Sequence, residues 1–394
     1  MNSHPPAPRP GLFGRPVLTV TIVLAALLGV GAGTVAFANS GGDPKPQWQA
    51  ASVGPTKATS SAKPSKTESA QVDTITLSAT GDIMMSNAPG KMPPDDGAGF
   101  FDSVTEGLKS DVVMGNLEQP LTDDTGASKC GSPPSPNCFA FRSPPSYAKH
   151  LKDAGFQLMN LANNHTKDFG TAGAKNTRAA LDDAGLKYTG NLDEITVVQS
   201  KGVKVAVVGF SGYAGANNLN DLAHSRAVVE KAKQQADLVV VQVHMGAEGA
   251  TMQHVKPGSE LFHGENRGDP IKFSHTVIDA GADLVVGHSP HVLRGMEFYK
   301  GKLIAYSLGN FAGGGKTLSS TGVLKYGGIL RVELTKDGTY AGGEFLSTYM
   351  SSVGLPTRDT SQEMGRKLVA QLSQADFGDT AAEIGADGSI RARA

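Results

Sequence analysis

The chain has 394 residues, 39% hydrophobic and 19% charged, with a formal net charge of −1 at pH 7; that length suits one large folded domain or two. Near-neutral charge and the lack of a basic stripe interleaved with aromatics exclude a nucleic-acid partner held by bulk charge. Two cysteines are too few to form a zinc site unaided.

Residues 1–16 precede Val17 to Ala38 (VLTVTIVLAALLGVGAGTVAFA), an uncharged run long enough to cross a bilayer core that needs about 20 apolar residues. Arg9 and Arg15 lie before it and no Lys or Arg follows until Lys45, so the positive-inside bias leaves residues 1–16 cytoplasmic and exports the rest. The expectation is a single-pass cell-membrane protein with an extracytoplasmic ectodomain. The A-x-A pattern Ala36-Phe37-Ala38 keeps open a cleaved signal peptide and a secreted product. From Asn39 to Asp73 the composition shifts to Gly, Pro, Ser, Thr, Ala and Lys, with Trp48 the only large aromatic, which reads as a flexible, disordered linker.

A folded domain is expected over 74–350, followed by a C-terminal helical extension and tail over 351–394. Short apolar runs predict strands at Thr74 to Thr80, Val112 to Met114, Leu158 to Ala162, Val203 to Phe210, Leu238 to Val243 and Leu284 to Val286. Amphipathic spacing predicts helices at Pro144 to Ala154, Ala172 to Ala184, Arg226 to Ala236 and Ile271 to Ala280, with Gly155, Gly185 and Gly281 at their C-terminal caps. The alternation implies an α/β domain. After Lys302 the pattern changes to successive antiparallel strands, which predicts a second sheet on the first. Cys130 and Cys138 share a proline-rich stretch on the exported side; a local disulfide is expected there, with two free thiols as the alternative.

Ligands of open α/β sheets gather at the carboxyl ends of strands. Here those ends carry Asp82, then Glu118, then Asn163-Asn164-His165, then His244 and Glu248, then His288 and His291. Each alone has an ordinary explanation: a solvated turn carboxylate for Asp82, a helix N-cap for Asn164, a hydrogen-bonded core histidine for His244. Five such ends in succession point instead to a shared cation, because buried ionisable groups need a partner. The loop bearing His254, His263 and His275 reads as a surface connection, and Gly313 to Thr317 lacks the spacing of a phosphate-binding loop.

The segments GDIMMS, NLEQPLT, LANNHTKDFG, VHMGAE and GHSPHVLRGMEFYKGKLIAYSLGNF together resemble the CapA family of poly-γ-glutamate capsule-synthesis proteins, related to calcineurin-like metallophosphatases. The resemblance implies a metallophosphatase-like β-sandwich flanked by helices in four layers, α/β/β/α. It also implies a site for one or two divalent ions (Mn, Fe, Zn or Mg). Asp82, Glu118 and His291 would hold the first ion, and Asn164, His244 and His288 the second. His165 would face the substrate as the catalytic group. Asp168, Glu248 and Asn310 belong to the motifs as substrate-binding or supporting residues, and Glu297 is balanced between site and structure. Met84 stands where the metallophosphatases commonly have a histidine, Glu118 where they have an aspartate, and His288-x-x-His291 replaces a His-x-His spacing. The implied role is synthesis or export of poly-γ-glutamate or a related envelope polymer, alongside membrane synthase subunits. The alternative is an extracytoplasmic metal-dependent hydrolase of a phosphorylated substrate or of a polyglutamate amide.

Overall fold

The computed structural model describes residues 74–123, 126–135 and 138–393. The expected anchor at 17–38 and linker at 39–73 lie outside them. Among the described residues no helix is long and apolar enough to cross a membrane.

Two mixed sheets form the centre. In the first, Thr74–Met84, Val112–Leu117, Leu158–Asn160 and Lys187–Thr189 run parallel side by side. On its other flank Thr74–Met84 pairs antiparallel with Tyr326–Thr335, which continues through Tyr340–Met350 to Pro356–Arg358. The second sheet is ordered Met296–Tyr299, Lys302–Ala305, Leu284–His288, Leu238–His244, Val203–Ser211 and Ile195–Ser200. This corrects the expectation of one sheet before Lys302 and another after it. The hairpin from Tyr326 completes the sheet that Thr74–Met84 began, while Lys302–Ala305 joins the middle strands. Thr74–Met84 offers two edges for pairing, and the apolar alternation of ILRVEL fills the second.

The central strands are buried on both faces, and their alternation sorts the side chains. Val205, Val207, Val240 and Val286 meet Leu77, Met114 and Leu330 between the sheets. Ala206, Val208 and Val241 turn outward to Val229, Phe273 and Val277, which lie on the helices Leu222–Lys233 and Pro270–Asp279. Met159 and Leu117 likewise pack on Leu151 and Leu181, from Ala148–Asp153 and Gly170–Asp183. Each fully buried aliphatic side chain contributes about 1.5–3 kcal/mol, so the strand ends project from a rigid base.

Helix limits follow their caps. Asp221 accepts from the His224 N–H at 3.0 Å and Asp269 from that of Lys272 at 3.0 Å, starting both helices earlier than apolar spacing alone suggests. Gly155, Gly185 and Gly281 take φ of +98°, +67° and +111° just past the helices, as a C-terminal cap requires. Pro356–Arg358 extends the first sheet, and helix Met364–Phe377 buries Val369 in the inter-sheet core.

Gly81 is where the chain must be bare. An added Cβ would lie 1.9 Å from the Gly309 carbonyl oxygen, and the same crossing lets the Asp82 N–H donate to that oxygen at 2.9 Å. Gly81→Ala is expected to cost at least about 2 kcal/mol through forced backbone shifts, read as a lower urea midpoint at unchanged m-value. An unchanged midpoint would show that the two segments separate freely.

Candidate metal centre

Strand pairing brings the polar strand ends together. Asp82 lies in register with Asn116 on one side and Asn310 on the other, and His288 is paired with His244 across parallel strands. Asp82, Glu118 and His291 each offer a ligand atom within 4.8 Å of the others. His291 Nδ1 is 3.2 Å from Asp82 Oδ2, and its Nε2 is 3.7 Å from Glu118 Oε1. His288 Nδ1 stands 3.7 Å from Asp82 Oδ1, and His244 Nε2 stands 3.6 Å from Glu118 Oε1. The side chains of Asp82, Glu118, His244 and His288 are fully buried.

Several buried atoms have no hydrogen-bond partner: in the cluster both carboxylate oxygens of Glu118, Nε2 of His244 and Nδ1 of His288, and on the neighbouring strand end Oδ1 of Asn164. A buried polar atom left unpaired costs about 1–3 kcal/mol, and here each orphaned group has a lone pair to offer a cation. Carboxylate, imidazole and amide oxygen without thiolate suit Mn, Fe, Zn or Mg. Among the described residues, Asp82, Glu118 and His291 therefore fit a divalent cation.

Neighbouring groups set the orientation of these donors. His288 Nε2 bonds Gln242 Oε1 at 3.1 Å, leaving Nδ1 to face Asp82. His291 Nδ1 bonds Asn310 Oδ1 at 2.8 Å, turning Nε2 toward Glu118 and Glu248. Asn116 donates to Asp82 Oδ1 at 2.8 Å and accepts from Asn160 at 3.0 Å and Asn163 at 3.2 Å. Such second-layer bonds fix ring tautomers and ligand angles.

Charge is distributed unevenly. Burial would raise the Asp82 carboxyl, but its hydrogen bond with His291 and the charges of His291, His288 and His244 hold it well below the usual range. Burial and the Asp82 charge push Glu118 well up. Burial lowers His244 strongly and brings His288 down to about 4. Burial opposes a charge on His291 as well, yet the carboxylates Glu118, Asp82 and Glu248 raise it well above an ordinary histidine.

His165 lies beside this cluster with a different set of contacts. Its Nδ1 is 2.8 Å from Asp168 Oδ2; a carboxylate can only accept, so Nδ1 carries the proton and Nε2 is the nitrogen left for chemistry. Burial lowers its pKa, partly offset by Asp168. Asn163 Oδ1 accepts the His165 N–H at 3.1 Å, which holds the turn after the strand.

The remaining sequence candidates divide. Glu248 reaches the cluster through His291 and is paired with Arg267 at 2.8 Å. Asn310 acts through His291. Glu297 is satisfied elsewhere, by His275 at 3.2 Å, Tyr306 at 2.7 Å and Thr380 at 3.1 Å. His254 pairs with Asp376 at 2.7 Å. Met84 is fully buried. Gly314–Lys316 forms a short 3-10 turn with Lys316 at φ +63°. Cys130 and Cys138 are joined in a disulfide. Sequence reasoning missed Gln242, Asn116, Arg267 and Lys129; a lone amide inside the run LVVVQV was the available sign for Gln242, and nothing comparable marks Lys129.

The pattern defining the family described as "Bacterial capsule synthesis protein PGA_cap" matches residues 76–314. The chain is 34% identical over 263 residues to the capsule biosynthesis protein CapA of Bacillus anthracis, covering 60% of this chain and 59% of that protein. It is 31% identical over 288 residues to the PGA biosynthesis protein CapA of Bacillus subtilis, covering 67% of this chain and 71% of that protein. The match thus spans under two thirds of the Bacillus anthracis relative's length. Among solved structures, the NAD nucleotidase NadN of Haemophilus influenzae superposes with a TM-score of 0.38 at 11% identity, over 78% of this chain and 56% of that one, too loosely to bear on the chemistry.

Proposed function

Given that the chain belongs to the bacterial capsule synthesis protein family, we propose that it works in synthesis or export of poly-γ-glutamate or a related anionic envelope polymer. On this reading the metal centre cuts the polymer or a phosphorylated precursor by hydrolysis, and the apolar segment Val17 to Ala38 tethers the domain outside the membrane beside synthase subunits. The observation that carries the hydrolytic part is the set of buried, unpartnered donor atoms on Glu118, His244 and His288 beside Asp82 and His291.

Asp82, Glu118 and His291, with Asn164, His244 and His288, would hold the cation or pair of cations. A bound divalent ion would polarise the substrate's phosphoryl or acyl oxygen. The chain's own residues supply the rest. His165 Nε2 offers or accepts a proton at the leaving atom while Asp168 keeps the ring in one tautomer. Glu248 lies 3.7 Å from His291 Nε2 and is paired with Arg267, where a substrate anion can exchange for the carboxylate on the guanidinium.

Elemental analysis of the purified chain, joined to a screen of phosphodiesters and γ-glutamyl peptides, tests this reading. The expected result is at least one equivalent of divalent metal and turnover abolished by chelation. Stoichiometric absence of metal after loading would refute it. For the envelope role, cells carrying the chain without Val17 to Ala38 are expected to lose surface polymer although the rest of the protein folds; undiminished polymer would remove the tether from the account.

A further inference from the structure

The loop before His165 converges on one carboxylate from two directions. Cys130 and Cys138 are bridged across a separation of eight positions. Immediately before the bridge, Lys129 Nζ lies 2.7 Å from Asp168 Oδ1 and 3.4 Å from His165 Nδ1, and donates to the Asn164 carbonyl at 3.0 Å. The Lys129 N–H also donates to the Asp168 carbonyl at 2.7 Å. Just after the bridge, the Phe141 N–H donates to Asp168 Oδ2 at 2.7 Å, and the Phe141 ring stands edge-on to the His165 ring at 4.9 Å. Phe139, 63% exposed, stacks on Phe141 at 6.5 Å.

These contacts are more than loop packing. The Asp168 side chain has no exposed surface, and a buried carboxylate needs a compensating charge as well as hydrogen-bond donors. Its Oδ2 is shared by the Phe141 N–H and the His165 ring, while Oδ1 has only the lysine. The lysine is a flexible side chain, one-third exposed, and a cation on a long stem holds one position only when its base is fixed. The disulfide supplies that fixity, because it ties the segment bearing Lys129 to the segment bearing Phe141.

We propose that Lys129 is a positioning residue for His165, acting through Asp168, and that the Cys130–Cys138 bridge keeps it in place. With Lys129 present, Asp168 keeps Oδ1 on the lysine and Oδ2 on His165 Nδ1. Without it, the carboxylate has an unpaired buried oxygen and turns away, and the ring loses its fixed tautomer. The catalytic consequence rests on the hydrolytic reading above; the structural consequence does not.

The test compares the full-length, zinc-loaded chain with Lys129→Ala, Lys129→Arg and Cys130→Ser/Cys138→Ser. Ring-nitrogen magnetic resonance spectra of histidine-labelled protein are recorded, with the His165 signal assigned by its loss in His165→Gln. Wild type is expected to show one His165 ring proton, on Nδ1. Lys129→Ala is expected to lose most of that signal or split it between tautomers, Lys129→Arg to restore it, and the double serine variant to weaken it at least about threefold, all at unchanged metal content. On a substrate that wild type turns over, Lys129→Ala should lower kcat about tenfold with KM within about twofold. An unchanged Nδ1 signal in folded Lys129→Ala would overturn the positioning role, and an unchanged one in the double serine variant would overturn the part given to the bridge. A wild type that binds metal without turnover would count against the hydrolytic reading alone, since the ring spectrum still decides the role of Lys129.

Discussion

Asp82→Asn is expected to purify with under about a tenth of the divalent metal held by wild type, a loss of at least about 1.4 kcal/mol in binding. Asp82 sits at the centre of the cluster, facing His291 and His288 and accepting from Asn116 and from the Ser289 N–H at 3.4 Å. The amide keeps the volume and one oxygen for Asn116, so the fold should survive, but it removes the negative charge that a cation needs. The hydrogen bond with His291 and the charges of His291, His288 and His244 also outweigh burial and hold Asp82 in its charged form. The measurement is metal per chain after equilibration with excess ion and gel filtration, beside a thermal melt. Wild type should melt higher with metal than without, by an amount that grows with free ion, whereas Asp82→Asn should melt at one temperature in both conditions. Full metal content in Asp82→Asn would place the cation elsewhere.

His165→Gln is expected to retain wild-type metal and melting temperature while losing about 10²–10⁴ in kcat on any substrate the wild type hydrolyses. None of the unpartnered donor atoms belongs to His165, whose Nδ1 is committed to Asp168, so its removal should leave the cation site whole. Glutamine keeps a donor near Nδ1 but cannot move a proton at the position of Nε2. Single-turnover kinetics on metal-loaded enzyme read the effect directly. Turnover within about threefold of wild type would transfer the proton-moving role to another group. Metal loss in the same variant would make His165 a ligand instead.

Much of the candidate site was legible because its residues sit at the ends of runs like LVVVQVH and LVVGH, where a two-residue period and burial announce a strand and the next polar residue must face a sheet edge. Asp82, Glu118, His244, His288 and His291 could be selected on that ground. Sheet order was not legible. The pairing of Thr74–Met84 with Tyr326–Thr335 joins residues some 250 positions apart in sequence, and local propensity carries no information about such distant partners. The supporting residues were hidden for a related reason. Lys129 and Phe141 lie in a proline-rich stretch without periodicity, and their meaning comes only from a buried carboxylate delivered by another segment. Asn116 and Gln242 looked like interruptions of strands and turned out to orient the ligand groups.

Asp82 lies in one sheet and Glu118 directly follows a strand of it, while His244 and His288 belong to the other. An ion bridging them would act as a rivet through the sandwich, so the two halves would part more readily whenever the ion is scarce. Chelation should then expose the interior to proteases as well as silence the centre, making mineral supply a determinant of how long each molecule lasts.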